Sequence, residues 1–421
     1  MHSPFLFIRA LAAGFGVAIA GQGITLDQAV QRALQRNPGF AVLESEIEAA
    51  EGNKAASAAM PNPNLSFGPG IKHASGGGSG NSFHGELALE QTFEYPGKRR
   101  LRLLLAEGNI QARKLAREGL AQEIRIVVKR AFFRALAAEQ VEALRLEQVQ
   151  SAQTFLLAAR KRVEGGYASD FESMKAQADL IAARKALGEA GSEITRTKFR
   201  LSALMGSPAD TAFTLEGKLD ASVFAAPAVD APMDPVEIAL AHNPAIRIQA
   251  LQAERSAKNL QAADMARKPD LSVAPSLEYT RGEQVYGLSL SLPLPVWNRG
   301  RGEVRQATGE YRASQAELEK LKQEVALAVR EAQEKVRLSE AQLALYTPEF
   351  LEGLKGIMQR AEKVYGQSST TLLIYLESKR SYFESLSDYY EALSAWTESH
   401  IDLEAAMGTP LDADTDKNGV K

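Results

Sequence analysis

Four stretches of the sequence alternate apolar residues with small or polar ones at a period of two. The most regular is QVYGLSLSLPL, in which Tyr286, Leu288 and Leu290 share one face while Ser289 and Ser291 share the other. Such alternation predicts a strand with one apolar face and one polar face. The other three follow the same rule less regularly, and their sequences are LSFGPGI, SFHGELALEQTF and LSVAPSLEY. Together they predict one β-hairpin in each half of the chain.

Most of the remaining sequence has a helical pattern. Small and apolar residues recur at spacings of three and four with charged residues between them, which predicts long amphipathic helices. The longest cover about residues 98–163, roughly 100 Å of helix, and about residues 303–364, with a kink at Pro348. Thr25 with Gln28 forms a capping box, and Asp234 before Pro235 marks a second helix start. Long charged helices of this kind usually pack as coiled coils.

The sequence also repeats itself after roughly two hundred positions. Asn37-Pro38 recurs as Asn243-Pro244, the RVEGG run recurs as KVYGQ, and Met205-Gly206 recurs as Met407-Gly408. Chance similarity between two alanine-rich helices would not preserve these Asn-Pro, Gly and Met-Gly positions in the same order. The chain is therefore predicted to be an internal duplication, with each half containing a helical start, a hairpin and a pair of long helices.

This duplication predicts the domain organisation. Residues 1–20 are typical of a secretory signal peptide, since their apolar run ends in Ala18-Ile19-Ala20. Residues 21–213 form the first repeat, 214–232 a linker and 233–410 the second repeat. Residues 411–421, LDADTDKNGVK, resemble a calcium loop but lack its twelfth-position Glu, so we expect a disordered polar tail. No apolar run of about 18 residues follows the signal, so no transmembrane helix is expected.

Composition narrows the functional classes. The 421 residues have a formal net charge of −3, which gives no sign of nucleic acid or of an anionic membrane surface as a partner. The chain has no cysteine, and its five histidines form no pair at helical ligand spacing, so neither a cofactor nor a metal centre is predicted. The sequence lacks GxSxG and HExxH motifs, which argues against a secreted hydrolase. No catalytic residue is proposed.

An exported chain with alternating strands of about ten residues is typical of an outer-membrane β-barrel. A barrel in lipid must close, and four strands cannot close one. Three chains would supply twelve strands, with Leu87, Leu89, Leu288 and Leu290 toward lipid and Glu86, Glu90, Ser289 and Ser291 toward water. One alternative is a small sheet whose apolar face is covered by the chain's own helices. A related alternative is a soluble periplasmic coiled-coil scaffold or adaptor without a pore.

The motifs TLDQAVQRALQRNP, QTFEYPGKR and SLPLPVWNRGRG, together with the duplicated tips and the Met-Gly helix ends, resemble the TolC family of outer-membrane efflux factors. FEYPGKR and LPLPVWNRGRG are most similar to the outer-membrane subunits of heavy-metal cation efflux systems of the resistance–nodulation–division type. The resemblance implies a mainly α fold with a small β part. In it, duplicated long-helix hairpins form a trimeric α-helical barrel that is continuous with a 12-stranded transmembrane β-barrel, four strands per chain.

The resemblance also implies a function and partners. The protein would be a passive exit duct in the outer membrane of a Gram-negative bacterium, extending into the periplasm and surrounded by outer-membrane lipid. A periplasmic adaptor and an inner-membrane pump would deliver the substrate. Metal cations, organic solutes and polypeptides all remain possible cargoes, because the duct is permissive and the pump sets specificity.

Three sets of residues are assigned by this resemblance. The tips that would meet the adaptor comprise Arg162, Val163, Gly165, Lys363, Val364 and Gly366. The periplasmic constriction comprises Glu377, Asp170 and Glu172. The barrel-to-tunnel junctions comprise Pro96, Gly97, Pro295 and Gly300. Simple turns at the tips and a solvated helix face at Glu377 are the alternatives.

Overall fold

The computed structural model describes residues 23–73, 81–207, 213–217, 219–220, 234–280, 283–367 and 371–409. The predicted signal peptide, most of the predicted linker and the predicted tail lie outside these residues. Elements of the first half are β1 (Gly23–Ile24), α1 (Leu26–Arg36), α2 (Pro38–Ala58), β2 (Asn64–His73), β3 (Asn81–Phe93), α3 (Lys98–Glu164) and α4 (Asp170–Leu204). Those of the second half are β4 (Thr214–Leu215), α5 (Pro235–His242), α6 (Pro244–Ala266), β5 (Leu271–Thr280), β6 (Glu283–Ser291), α7 (Arg301–Leu343), α8 (Pro348–Gly366) and α9 (Leu372–Met407).

The two halves have the same order of main elements: two short helices, a hairpin and long helices. The halves differ in one respect: α3 is continuous, whereas its counterpart in the second half is divided. The sequence predicted one kinked helix over residues 303–364, but α7 ends at Leu343 and α8 begins at Pro348. Thr347 caps the new helix, its side chain accepting a hydrogen bond from the N–H of Phe350 at 3.2 Å. Pro348 occupies the first helical position, where its missing N–H costs nothing. The kink is therefore a break with its own cap.

The predicted helix caps are confirmed. Thr25 and Gln28 form the reciprocal capping box, and the Asp234 side chain accepts from the N–H of Val236 at 3.1 Å before Pro235. Asn243 caps α6 by accepting from the N–H of Ala245 at 2.9 Å. The helix-ending glycines of the two repeats, Gly206 and Gly408, have φ values of 64° and 73°, the left-handed geometry that favours glycine.

The four long strands form one antiparallel sheet in the order β2-β3-β5-β6. The hairpins β2-β3 and β5-β6 are thus joined through β3 and β5, and the predicted hairpins are confirmed. Leu87 lies opposite both Phe67 and Leu277 in the register. Glu86, one position earlier, lies opposite Gly68 and Glu278. Because directly opposed residues share a face, the register separates an apolar from a polar face. A separate short parallel pair is formed by β1 and β4.

The described chain divides into two compact units. The first lies within residues 1–37, 127–225 and 338–398, and the second within 38–126, 226–337 and 399–421. In the first unit, the helices α3, α4, α8 and α9 bury an aromatic cluster formed by Phe155, Tyr365 and Tyr375. In the second unit, which also contains the sheet, Val329 and Met407 pack with residues of α5. None of the described helices is both long enough and apolar enough to cross a membrane.

Gly408→Ala is expected to destabilise the protein. A methyl group at this position would lie 2.8 Å from Pro244 Cδ and 2.9 Å from Asn243 Cα. The left-handed backbone costs a non-glycine residue about 1–2 kcal/mol before that clash is counted. Thermal unfolding followed by circular dichroism should show a lower midpoint than that of the unmodified protein.

Gly353→Ala is the matched control, because an added methyl group in α8 meets nothing within 4 Å. Alanine is favoured over glycine inside a helix by about 1 kcal/mol. The control should therefore unfold at the same temperature or higher. Equal behaviour of the two variants would contradict the proposed left-handed cap.

Candidate functional site

The apolar face of the sheet is exposed in the single chain. The exposed fractions are 66% for Phe67, 76% for Tyr286 and 68% for Leu288. The other exposed apolar residues of the four strands include Leu65, Ile71, Phe83, Leu87, Leu89, Phe93, Leu271, Tyr279, Val285 and Leu290. A soluble sheet would bury such side chains beneath its helices, because each large apolar residue gains about 1.5–3 kcal/mol by burial. The alternative in which the chain covers its own sheet is wrong for the described residues.

The polar face of the same sheet carries acidic residues and small hydroxyl residues. Glu86 lies directly opposite Glu278, and His84 lies opposite Thr280. The Nδ1 atom of His84 is 2.9 Å from the Thr280 hydroxyl and 3.3 Å from Oε1 of Glu278. Among the described residues, no three His, Asp or Glu side chains are grouped closely enough to hold a metal ion. The face is therefore a hydrophilic, carboxylate-bearing surface.

Both outer strands of the sheet have an open edge. In the described part of the chain, β2 pairs only with β3 and β6 pairs only with β5. The backbone N–H and C=O groups of the outer edges of β2 and β6 therefore have no ladder partner within the chain. Such edges are templates for pairing with another strand.

The predicted junction residues lie where strands give way to long helices. Pro96 and Gly97 follow β3, and Gly97 has a φ of 102°; Pro295 and Gly300 follow β6, and Gly300 has a φ of 66°. The turn beside Gly97 is held by Asp270, which accepts from the N–H of Tyr95 at 2.7 Å and from Lys98 Nζ at 2.8 Å. Partial burial alone would raise the pKa of Asp270, but these bonds from Lys98 and Tyr95 lower it below its ordinary value.

The first predicted tip lies between α3 and α4. Arg162 and Val163 are in the last turn of α3, and the chain reverses through residues 165–169. The sequence assigned the tight reversal to Gly165, but Gly166 has the positive φ, at 74°. Gly165 differs because its N–H still bonds to the Lys161 carbonyl at 3.0 Å, which continues the helix by one residue. The prediction of the turning glycine was therefore off by one.

The second predicted tip lies at the end of α8. Lys363 is exposed, Val364 is half-buried and Gly366 is the last helical residue. Residues 368–370 lie outside the described residues, and α9 begins at Leu372. Gly366 has no positive φ, so it does not form a left-handed turn.

A hydrogen-bonded lock joins the two tips within the first unit. Tyr365 of α8 donates its hydroxyl proton to Oε2 of Glu172 in α4 at 2.8 Å. The Arg162 guanidinium lies 4.5 Å from the centre of the Tyr365 ring, and its Nη1 donates to the Tyr365 carbonyl at 3.0 Å. Burial, followed by the hydrogen bond and charge of Glu172, raises the pKa of Tyr365 far above its ordinary value. The tyrosine therefore keeps the proton that it donates.

Behind this lock, aromatic rings and an ion pair hold the same helices together. The Tyr365 and Tyr375 rings stack with centres 5.2 Å apart, and Phe155 lies 5.0 Å from Tyr375. Lys379 Nζ lies 2.6 Å from Oδ2 of Asp179, and only 5% of the lysine side chain is exposed. Sequence reasoning missed the lock and the ion pair. The sequence does place Tyr365, Tyr375 and Lys379 in otherwise charged helices, which is unusual. This pattern does not identify the residues that they contact.

The predicted constriction residues do not share one environment. Glu377 is exposed and lines a cavity of about 560 Å³ together with Lys175, Arg380 and Glu384. Asp170 is exposed in the first turn of α4. Glu172 is directed to Tyr365 and Arg162 within the chain. Glu377 and Asp170 are therefore exposed to solvent in the single chain, whereas Glu172 is engaged by Tyr365 and Arg162.

Comparison with known proteins identifies the family. The family model described as outer membrane efflux protein matches residues 29–207 and 236–409. The chain belongs to this family. The two matched segments correspond to the two halves that share one order of elements.

Two curated relatives are metal-resistance proteins. The chain is 28% identical over 338 residues to the nickel-cobalt-cadmium resistance protein NccC of Alcaligenes xylosoxydans xylosoxydans, covering 78% of this chain and 74% of the relative. It is 24% identical over 298 residues to the cobalt-zinc-cadmium resistance protein CzcC of Cupriavidus metallidurans, covering 70% and 68% respectively. The predicted similarity to heavy-metal efflux proteins is confirmed.

The fold is also found in solved structures. The crystal structure of CusC, described as a transmembrane channel, superposes with a TM-score of 0.77 at 16% identity, covering 91% of this chain and 92% of that chain. At this identity the likeness concerns the fold. The prediction of a mainly helical outer-membrane efflux protein is confirmed by the family, and its relatives and structural neighbours are channel proteins rather than enzymes. The soluble scaffold is not favoured.

Tyr365→Phe is expected to loosen the tips. The change removes only the hydroxyl that bonds Glu172, and a hydrogen bond to a charged group contributes about 1.5–3 kcal/mol. In planar bilayers, the variant channels should open more often or conduct more than the unmodified protein.

Tyr167→Phe provides the control, because Tyr167 lies in the first tip but is 73% exposed. It should conduct like the unmodified protein. If Tyr365→Phe also conducts like the unmodified protein, the hydrogen bond does not hold the tips together.

Proposed function

We propose that three copies of this chain form the passive outer-membrane exit duct of a tripartite pump that exports metal cations. The observation that carries the proposal is the four-stranded sheet, with its exposed apolar face, carboxylate-bearing polar face and two open edges. The closure of the barrel follows from what such a sheet requires in a lipid bilayer.

The open edges support closure by copies of the same chain. In the hydrocarbon of a bilayer, each unsatisfied backbone group costs several kcal/mol, and water is absent. Pairing β6 of one copy with β2 of the next satisfies both edges with one repeated interface. Three copies give twelve strands, and the resulting closed ring leaves an aqueous interior lined by the polar face.

The long helices support a periplasmic tunnel beneath the barrel. Residues 98–164 form a single helix of 67 residues, which is roughly 100 Å long. Twelve-helix packing of three duplicated chains would continue the barrel toward the pump. At its end, Arg162, Val163 and Gly165 with Lys363, Val364 and Gly366 would meet a periplasmic adaptor, and the Tyr365–Glu172 lock would keep the unengaged tip closed.

Metal cations are the favoured cargo for two reasons. The curated relatives are named for resistance to nickel, cobalt, zinc and cadmium. The polar face also carries Glu86, Glu90 and Glu278, and carboxylate rings favour cations in channels. No part of the duct needs to select one metal, because the inner-membrane pump supplies the energy and the choice of substrate.

Leu288→Arg is expected to prevent barrel assembly, whereas Ser289→Arg is not. These neighbours on β6 lie on opposite faces, and Leu288 is 68% exposed. An arginine on the lipid face costs up to about 2–4 kcal/mol near the bilayer centre, and three copies each bear that cost. The measurement is the amount of trimer in detergent-extracted outer membranes, and Ser289→Arg is the control of equal size and charge.

The same strains test the cargo. A strain that lacks the gene should lose resistance to nickel, cobalt or cadmium, and the unmodified gene should restore it while Leu288→Arg should not. Equal assembly of both arginine variants would refute the lipid-facing assignment. Unchanged metal resistance in the strain without the gene would refute metal cations as the cargo.

Glu377→Gln is expected to reduce cation selectivity. Three exposed carboxylates around one axis would concentrate cations at the constriction, so neutralising them should lower the cation-to-anion permeability ratio roughly two- to threefold. Single-channel reversal potentials in a salt gradient measure this ratio. Glu352→Gln, an exposed carboxylate on α8, serves as the control, and equal ratios for the two variants would indicate a solvated helix face at Glu377.

A further inference from the structure

Four arginines line one groove that lies just after β6. Its volume is about 500 Å³, and the arginines are Arg267, Arg301, Arg305 and Arg312. Arg267 is fixed by Asp264, 3.0 Å away, and by donation of its Nε–H to the Arg299 carbonyl at 2.9 Å. The other three arginines have no ion pair or hydrogen bond with the residues that the structure describes. Like charges this close repel one another, so the groove favours an anionic occupant.

An apolar groove adjoins this basic groove. It has a volume of about 330 Å³, and Arg267 lines both grooves. Its apolar lining comprises Ala263, Ala266, Pro269, Pro293, Leu294 and Pro295. Glu303 also lines it, but its carboxylate accepts a hydrogen bond from Asn298 at 3.1 Å. The basic groove and the apolar groove meet at Arg267. Together they fit an amphiphile that has an anionic headgroup and an apolar tail.

The segment between β6 and α7 presents exposed apolar side chains beside these grooves. Leu294 is 71% exposed, Val296 is 56% exposed and Trp297 is 96% exposed. Tryptophan is enriched where a membrane meets water, because its ring is amphipathic. The segment follows β6 directly, and the apolar face of β6 is itself exposed. A lipid surface would cover both the strand and this segment continuously.

We propose that this junction binds an anionic glycerophospholipid of the inner leaflet of the outer membrane. The phosphate headgroup would lie among Arg301, Arg305 and Arg312, and the apolar part would extend along the groove at Leu294 toward the lipid-facing strands. The inference rests on the proposed function, because a membrane-inserted barrel brings the periplasmic ends of its strands to that leaflet. The bound lipid would fix the depth of the barrel in the membrane.

Phospholipid fits this surface better than a free anion does. A free anion would need only the arginines and would leave Leu294, Val296 and Trp297 in water. The combination of guanidinium groups with an exposed tryptophan beside lipid-facing strands matches a headgroup region.

The test uses Trp297 as a reporter in the full-length protein. The chain has two tryptophans, and Trp396 is only 5% exposed, so Trp396→Phe leaves Trp297 as the sole tryptophan, which is excited selectively at a wavelength that tyrosine does not absorb. The protein is reconstituted in phosphatidylcholine vesicles that contain brominated phosphatidylglycerol or, at the same mole fraction, brominated phosphatidylcholine. Stronger quenching by the anionic lipid measures its local enrichment. Native mass spectrometry of the protein with both tryptophans counts retained phosphatidylglycerol without any substitution of the reporter.

The proposal predicts several-fold enrichment of phosphatidylglycerol around Trp297. Each arginine near an anionic surface strengthens binding about fivefold, so replacing Arg301, Arg305 and Arg312 by Gln should lower the number of retained lipids at least roughly tenfold and equalise the quenching. The matched control replaces Arg160, Arg184 and Arg330 by Gln, since these arginines are exposed and the change in net charge is the same. The control should keep the enrichment.

Three results would overturn the proposal. Equal quenching by the two brominated lipids would show that no anionic lipid is preferred. Displacement by inorganic phosphate at the same phosphorus concentration would show a simple anion site. Dissociation of the oligomer by the Arg301, Arg305 and Arg312 substitutions, with lipid retention unchanged, would show an interface between copies. Failure of the proposed function is distinguishable, because the unmodified protein would then form no conducting channel in the same vesicles.

Discussion

The unpaired edges of the sheet are the constraint from which the architecture follows. Among the described residues of one chain, β2 and β6 each pair on one side only, and the apolar side chains of the sheet are exposed. In water, both features would promote aggregation, since open strand edges pair with other chains and exposed apolar surfaces associate with one another. Both become requirements in lipid, where the apolar face is solvated and the edges must be paired. The proposed closure with copies of the same chain in lipid would satisfy both the apolar face and the open edges.

The tips, unlike the open edges of the sheet, are joined by polar contacts within the chain. Their lock depends on a neutral tyrosine hydroxyl beside a half-buried carboxylate, with a guanidinium against the tyrosine ring. The lock joins residues from both repeats, yet the repeats are not equivalent in it: Arg162 comes from the first tip and Tyr365 from the second. Duplication therefore supplied the scaffold of two hairpins, and later divergence of single residues supplied the contact between them. Such a contact is weak enough to be broken by a partner.

Local patterns predicted the parts of the fold that depend on neighbouring residues in the sequence. The alternation of Leu288 and Ser289 determined the faces of β6, and Thr25 with Gln28 determined where α1 begins. The sequence predicted a kink at Pro348 but not a full break, and it did not show that Gly166 rather than Gly165 has the positive φ. Each of these details depends on one local hydrogen bond that composition does not reveal. The Tyr365–Glu172 and Lys379–Asp179 contacts were missed for another reason. They join residues about two hundred positions apart, and periodicity shows which face is buried without showing what it meets.

Net charge was the least informative property of the sequence, and the structure explains why. A total of −3 is small because 49 Lys and Arg nearly balance 52 Asp and Glu, and such a sum does not show where the charges lie. Glu86 and Glu278 are opposed on the polar face of the sheet, whereas Arg267, Arg301 and Arg305 line a groove after β6. In a closed barrel, the carboxylates would attract cations into the lumen, and the arginines would meet anionic headgroups outside it. Since fields at a protein surface decay over about 10 Å at 0.1 M salt, each region acts on its own surroundings. The proposed cationic cargo and the proposed anionic lipid are therefore compatible in one chain, because they would meet different surfaces that a single summed charge does not distinguish.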